Sequence, residues 1–363
     1  MHEELPRSDA EAPTIAAKVA FLSQPSAYRM PPDVRVTRRE THMSWVFLVG
    51  DRVYKLKKPV RFPYLDFSTL AKREAACRAE LSLNRRLAAD VYLSVVALVV
   101  TPHGLTIGGP GTVVDWLVVM RRLDDHCVLE QLIVEQRLRA SQLQGLLVTL
   151  GQFYRRAKPV PVAPAAHPAE WQRRLSDNRR ILFEPRFGLP SGLIRSIDRA
   201  QRRFLSHRAK LLTQRVLKRR LVDGHGDLRP EHIWLEDRVR IIDCLEFNAR
   251  LRTVDPFDEI AFLGLECERL GAAWVGDYLR RGMVHALHDR LPPELFLFYR
   301  CYRASLRARL AIAHLTEPNP RTPEKWPRLA RAYLRIAAKD AAELERLLRT
   351  RRDRRVIGPR GDG

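Results

Sequence analysis

Residues 225–243 read His-Gly-Asp-Leu-Arg-Pro-Glu-His-Ile-Trp-Leu-Glu-Asp-Arg-Val-Arg-Ile-Ile-Asp, and three of their side chains stand at spacings that phosphoryl transfer can use. Asp227 is a loop carboxylate able to orient or deprotonate a hydroxyl. His232 lies five positions on as a candidate metal ligand, and Asp243 follows at the end of a predicted strand as a second one. A divalent cation on such a carboxylate neutralises phosphate charge, which is much of what that reaction asks of a protein. His225 is grouped with Asp227 as catalytic, and Glu246, three residues after Asp243, is a further candidate for a metal or a substrate amine. Alone, His-Gly-Asp is ordinary turn chemistry; the spacing of the whole set carries the reading.

The local pattern says how these groups would be held. Leu221-Val222 ends an apolar run, Asp223-Gly224 punctuates it, and Gly226 permits the backbone angle that a tight His-Gly-Asp loop needs. Residues 233–235 read as a short strand, Glu236-Asp237 as a turn and 239–242 as the return strand, a hairpin that carries Asp243 back toward His232. Cys244 would then point to the opposite side and pack.

Upstream, strands are predicted at 34–39, 45–49 and 53–57, with Gly50-Asp51 as a hairpin turn and Pro59 as the stop. A helix over 68–87, capped by Ser68 or Thr69, precedes strands at 92–101 and 112–122, joined through a turn region at 104–111. This amounts to a five-stranded sheet with one helix. Lys55 and Lys57 share a strand face by the period of two, so either can reach phosphates, with Lys55 preferred. The acidic helix supplies a partner, Glu80 ahead of Glu74. Neither Gly-x-Gly-x-x-Gly nor Gly-x-x-x-x-Gly-Lys-Ser/Thr occurs. Between the first two strands, Thr41 and Ser44 either contact phosphates or shape a tight turn. Met120, at the start of a hinge over 120–123, is the candidate adenine contact.

Past Leu123 the periodicity becomes helical, at 127–135, at 140–155 and from Pro168, with a proline-rich loop over 159–168; from Asp258 to Leu348 it is almost wholly so. The expected organisation is a helical extension at 1–30, a small sheet lobe at 31–124, a helical lobe at 125–348 carrying the two hairpins, and a basic flexible tail at 349–363. In 363 residues, 45% of them apolar, no run long enough to span a membrane exists, and the polar N-terminus is no secretory signal, so a cytoplasmic location is expected. Five scattered cysteines read as reduced thiols. The formal charge of +22 raises nucleic acid as a partner, but only 10 of the 64 basic residues are Lys and the Arg is spread along the chain, so nucleic-acid binding is not expected. Its best candidate is the tail over 349–355.

Several blocks together resemble a known family: Glu40-Thr-His-Met-Ser-Trp-Val-Phe-Leu48, Val53-Tyr-Lys-Leu-Lys-Lys-Pro-Val60, Leu65-Asp-Phe-Ser-Thr69, Glu80-Leu-Ser-Leu-Asn-Arg-Arg-Leu87, 225–233, and Ile242-Asp-Cys-Leu-Glu-Phe-Asn248 with Asp255 and Asp258. Over roughly 15–345 the chain resembles the aminoglycoside phosphotransferase and choline kinase group of protein-kinase-like folds. More closely, it resembles uncharacterised bacterial aminoglycoside-phosphotransferase-like proteins often fused to a gluconate-kinase-like P-loop domain. The resemblance implies an α+β, bilobal protein-kinase-like fold with a small antiparallel-sheet N-lobe and a mostly helical C-lobe. It implies ATP with Mg²⁺ or Mn²⁺, Asp227 as base, Asp243 as principal metal ligand and a strand lysine on the phosphates. His232 stands where most such enzymes have Asn, and imidazole suits manganese better than magnesium. Asp258 is expected as a cap or ion-pair partner, while Tyr299, Tyr302, Arg303 and Arg307 line either an acceptor pocket or a packed helix face. The function expected is a small-molecule kinase acting on a hydroxylated acceptor; the alternatives are a nucleotide-binding pseudokinase with a regulatory role, or a basic nucleic-acid-binding protein.

Overall fold

Thr14 accepts from the Ala17 N–H at 3.2 Å and so starts a two-turn helix, α1 (Ile15–Leu22). A computed structural model describes residues 13–356 apart from Pro63, Pro318, Asn319 and Arg321, with side chains as far as Arg349. The described residues form two units, one up to residue 124 together with 240–249 and one over 125–239 together with those from 250 on.

In the first unit the predicted alternation becomes β1 (Val36–Glu40), β2 (Ser44–Val49) and β3 (Arg52–Lys57), antiparallel neighbours in which Val46 pairs with Lys55. A small hairpin of β4 (Arg61–Phe62) and β5 (Leu65–Asp66) follows, then α2 (Leu70–Ala88), capped by the Thr69 hydroxyl. β6 (Tyr92–Thr101), β7 (Gly104–Ile107) and β8 (Thr112–Arg121) complete a sheet in the order β1-β2-β3-β8-β6-β7. The expected five strands are therefore one short, because β7 lies in the glycine-bounded stretch that reads as a turn. α1 belongs to this unit rather than to a separate extension. Its Val19 and Leu22 are buried with Phe47, Leu56, Leu98 and Leu117. Asp115, itself buried, takes Lys18 of α1 at 2.8 Å and Arg73 of α2 at 2.7 Å.

The rest of the chain is mostly helical: α3 (Leu129–Val134), α4 (Ala140–Arg156), α5 (Ala166–Leu182) and α6 (Ser191–Leu217), then the short strands β9 (Val222–Asp223), β10 (Ile233–Leu235) and β11 (Val239–Ile241). After α7 (Ala249–Arg252), β12 (Thr253–Val254) pairs with β9, and α8 (Pro256–Arg269), α9 (Ala273–Ala286), α10 (Pro293–Ala313) and α11 (Lys325–Val356) close the unit. α11 continues into the stretch expected as a flexible tail; residues 357–363 lie outside those described.

Trp171 of α5 packs against Phe298, Tyr299 and Tyr302 of α10, with ring centroids 5.1, 5.5 and 4.8 Å away. Tyr299 is sealed and donates to Asp255, and Arg303 holds Asp258 through two bonds of 2.8 and 2.6 Å. Tyr299, Tyr302 and Arg303 are thus core residues, and for these three the packed helix face is the one of the two readings that holds. A helix buried on several sides shows the same i, i+4 pattern as one that lines a cleft. Asp255 caps α8 through the Phe257 N–H. No described helix is long and apolar enough to cross a membrane. The five cysteines are free thiols, four of them buried.

Candidate active site

Two clusters carry the candidate residues, one within each unit. In the first, β3 sends Lys55 and Lys57 from the same face of the sheet, where α2 brings Glu80 to meet both. Glu80 Oε1 is 2.8 Å from Lys55 Nζ, and Oε2 is 2.6 Å from Lys57 Nζ. Lys55 also lies 2.8 Å from Asp243 Oδ1, and Lys57 lies 2.5 Å from Glu246 Oε1. The charges therefore run in one line, Asp243, Lys55, Glu80, Lys57, Glu246. Both lysines share Glu80, while Glu74 pairs with Arg78 at the surface.

The two ends of that line differ. The side chain of Glu246 is 11% exposed and those of Lys57 and Glu80 are each 1% exposed, whereas that of Asp243 is 42% exposed, so the Asp243 end is the open one. Burial alone would push both ammonium groups toward neutrality. The carboxylates outweigh it, Asp243 and Glu80 at Lys55, Glu80 and Glu246 at Lys57, and hold both lysines charged, above their ordinary range. Glu80 is held below its ordinary range: burial works upward on it but loses to the two lysines.

Asp243 lies beyond β11 rather than on a strand, with φ of 58°, in the left-handed region. For a residue other than glycine that conformation costs roughly 1 kcal/mol, less for Asp than for most. Side chains from the rest of the unit hold it there. The Tyr92 hydroxyl accepts from the Asp243 N–H at 3.3 Å, and Asn84 Oδ1 accepts from the Cys244 N–H at 2.9 Å. Asn84, one helical turn after Glu80, also donates to the Glu80 carbonyl at 2.9 Å. Cys244 is buried, as expected of a packing thiol.

In the second unit, β9 leads into the His-Gly-Asp loop, where Gly226 takes a φ of 87°. The loop is braced by a residue to which sequence reasoning gave no role, Glu259 of α8. It accepts from the His225 N–H at 3.0 Å, from the Gly226 N–H, and from the Tyr154 hydroxyl at 2.8 Å. A Cβ on Gly224 would come within 2.5 Å of Glu259 Oε2, so glycine is required there. The signal was the Asp258-Glu259 pair at a helix start, which the helix dipole alone explains. Glu259→Gln would set an amide donor against one of the two loop N–H groups and is expected to cost about 1–3 kcal/mol of stability. Urea unfolding measures it, and an unchanged midpoint would refute the bracing role.

Asp227, at the tip of this loop, has a side chain one-quarter exposed, with Arg229 Nε 3.1 Å from its Oδ2 and His232 Nδ1 3.8 Å away. Burial pushes its carboxyl up, but Arg229, His232, Arg307 and His225 together hold it below the usual carboxylate range. His225 is fully buried, and its Nδ1 accepts from the Asp227 N–H at 3.3 Å, a position that shapes the loop. Arg307, one of the four late-helix residues, is among the cations that hold the Asp227 carboxyl down.

The other candidates are placed as follows. Thr41 closes the β1–β2 turn, its N–H donating to the Ser44 carbonyl at 2.9 Å and its hydroxyl accepting from the Ser44 N–H at 3.0 Å; Ser44 is buried. Met120 is buried near the end of β8, between Val53 and Tyr92 in register. The next two N–H groups, of Arg121 and Arg122, donate to the carbonyls of Val91 and Asp51. His232 Nδ1 donates to the Asp227 carbonyl at 2.9 Å, which leaves Nε2 as the acceptor facing Arg229 Nη2 at 3.3 Å. A metal on Nε2 would have to displace that guanidinium. Glu246, read as a metal ligand, has Lys57 against it instead. Among the described residues no three His, Cys, Asp or Glu side chains converge on a metal position. The donor set fits magnesium, which takes one or two carboxylates and completes its shell with water and substrate phosphate; Asp243 is the carboxylate that would hold it.

No known family model matches the chain. The uncharacterised protein Rv2004c of Mycobacterium tuberculosis and the uncharacterised protein Mb2027c of Mycobacterium bovis are each 33% identical to it over 288 residues, 78% of this chain and 56% of the relative. The chain thus spans little more than half the length of these relatives. Among solved structures, a choline/ethanolamine kinase family protein from Mesorhizobium loti matches with a TM-score of 0.51 at 14% identity, over 90% of this chain and 98% of that one. With its antiparallel-sheet unit and its mostly helical unit, the chain has the α+β protein-kinase-like fold of the choline and ethanolamine kinase group, as the sequence blocks led one to expect.

Proposed function

We propose that the chain is an ATP-dependent phosphotransferase that moves the γ-phosphoryl group to a hydroxyl of a small molecule in the cytoplasm. The observation that supports this most is a lysine kept charged between a sealed glutamate and an open aspartate. In this reading Glu80 aims Lys55 at the nucleotide phosphates, Asp243 holds a divalent cation, and Asp227 orients the acceptor hydroxyl and takes its proton. The cation, when bound, neutralises charge on the phosphate oxygens.

Nucleotide binding without transfer is the second reading, and one contact favours it. The Arg229 guanidinium beside Asp227 keeps that carboxylate a weak base. Melting curves with ATP and Mg²⁺ or Mn²⁺, followed by ADP release over a panel of polyols, amino sugars and amino alcohols, separate the two. Saturation at a hundred times Kd should add about 2.7 kcal/mol of stability. Lys55→Met, which loses a charged hydrogen bond, should weaken nucleotide affinity roughly 10–100-fold. No stabilisation with either metal would remove the nucleotide site, and stabilisation without ADP release on any acceptor would select the second reading.

A further inference from the structure

Lys57 takes no part in the chemistry proposed above, yet it is the more deeply buried of the two lysines. It is sealed behind Glu80, with the Phe67 ring 4.9 Å from its Nζ, and cannot meet a ligand. Its second partner, Glu246, lies three residues after Asp243 in a stretch that is neither helix nor strand.

We infer that Lys57 and Glu246 are a positioning pair, which fixes the left-handed turn at Asp243 and thereby sets the affinity for metal-bound nucleotide without touching it. Contacts to three elements pin the turn: Asp243 to Tyr92 of β6, Cys244 to Asn84 of α2, and Glu246 to Lys57 of β3. Phe247, the next residue, packs with Phe62 against Leu65 and Phe67, which closes the far end of the segment. The pair adds one positive and one negative charge, so it leaves the net charge around Asp243 as it was. What it supplies is geometry: a buried ion pair contributes little net stability, but few arrangements of its backbone satisfy it.

The part of this inference that concerns affinity rests on the nucleotide reading above; the part that concerns the turn does not. Lys57→Met would strand the Glu246 carboxylate and also take one of the two lysines from Glu80, so Glu246→Gln, neutral and nearly isosteric, is the variant on which the result turns. Hydrogen exchange of the ligand-free protein is expected to quicken at least about tenfold over residues 242–248 in Glu246→Gln, while β6 and β8 stay within about twofold of native. By calorimetry its affinity for Mg·ATP should fall about tenfold while affinity for ATP in EDTA holds, a split that general loosening would not produce. Adding Glu246→Gln to Asp243→Asn should cost no further Mg·ATP affinity, since the pair acts on that affinity only through the Asp243 carboxylate. Unchanged exchange over 242–248, or equal losses for ATP with and without metal, would overturn the positioning role. A native protein that binds no Mg·ATP would overturn the nucleotide reading instead, and the exchange measurement would still decide whether the pair holds the turn.

Discussion

Asp227→Asn is expected to lower turnover about 10²–10⁴-fold while leaving Mg·ATP affinity within about twofold of native. The amide keeps the volume and can still accept from Arg229, so the loop held by Glu259 should stand. What it loses is the ability to take the hydroxyl proton. The pH dependence sharpens the test. Asp227 has a depressed folded-state pKa, so its contribution to stability is present above the ordinary Asp value and is lost as pH falls through the lower folded value. The carboxylate is therefore ionised throughout the neutral range, and the acid limb of the rate profile should lie below the ordinary carboxylate range. ADP release on a productive acceptor, measured from acid to neutral pH, checks both statements. Full turnover in Asp227→Asn, or an acid limb in the histidine range, would assign the base to another group.

How much of this arrangement could be read beforehand follows from the distance over which each signal acts. β1 to β3 and α2 declare themselves because alternation and capping are local, and the period of two puts Lys55 and Lys57 on one face without any knowledge of the rest. Glu80 could be favoured over Glu74 because it lies further along the helix, on the face that also carries Cys77 and Asn84, both buried. Nothing local says that one glutamate would serve two lysines, or that Lys57 would be sealed while Lys55 stays within reach of Asp243. That is settled by contacts between residues nearly two hundred positions apart. β4 and β5 are two residues each, too short for periodicity to register. Glu259 and Tyr154 brace the loop from helices remote in sequence. Tyr299, Tyr302 and Arg303 went to the core because helical spacing fixes a face but not what covers it. His232 is the finest case: its type suggested a ligand, and the Asp227 carbonyl on one ring nitrogen and Arg229 on the other give it a loop role.

Asp243→Asn should abolish metal-dependent stabilisation by ATP and lower turnover by at least about 10³-fold, the loss expected when a cation worth several kcal/mol to the transition state is no longer held. The substitution is well matched to the question. Asn tolerates the left-handed backbone as well as Asp does, so the φ of 58° and the bonds at Tyr92 and Asn84 can persist. Lys55 keeps Glu80 and therefore its charge. The Asp243 carboxylate is 42% exposed, so losing its pairing with Lys55 should change the stability of the ligand-free protein by no more than about 1 kcal/mol. A large effect on ligand response with a small effect on intrinsic stability is what separates a metal-holding carboxylate from a structural one. Repeating the melts with Mg²⁺ and Mn²⁺ adds the choice of ion: with Arg229 against His232 Nε2, Asp243 is the carboxylate left to face the cation, and the two metals should support ATP binding to a similar degree. A strong preference for Mn²⁺ that vanishes in His232→Asn would show instead that the imidazole turns from Arg229 to the metal, and Asp243→Asn that still responds to Mg·ATP would remove this aspartate from the metal site altogether.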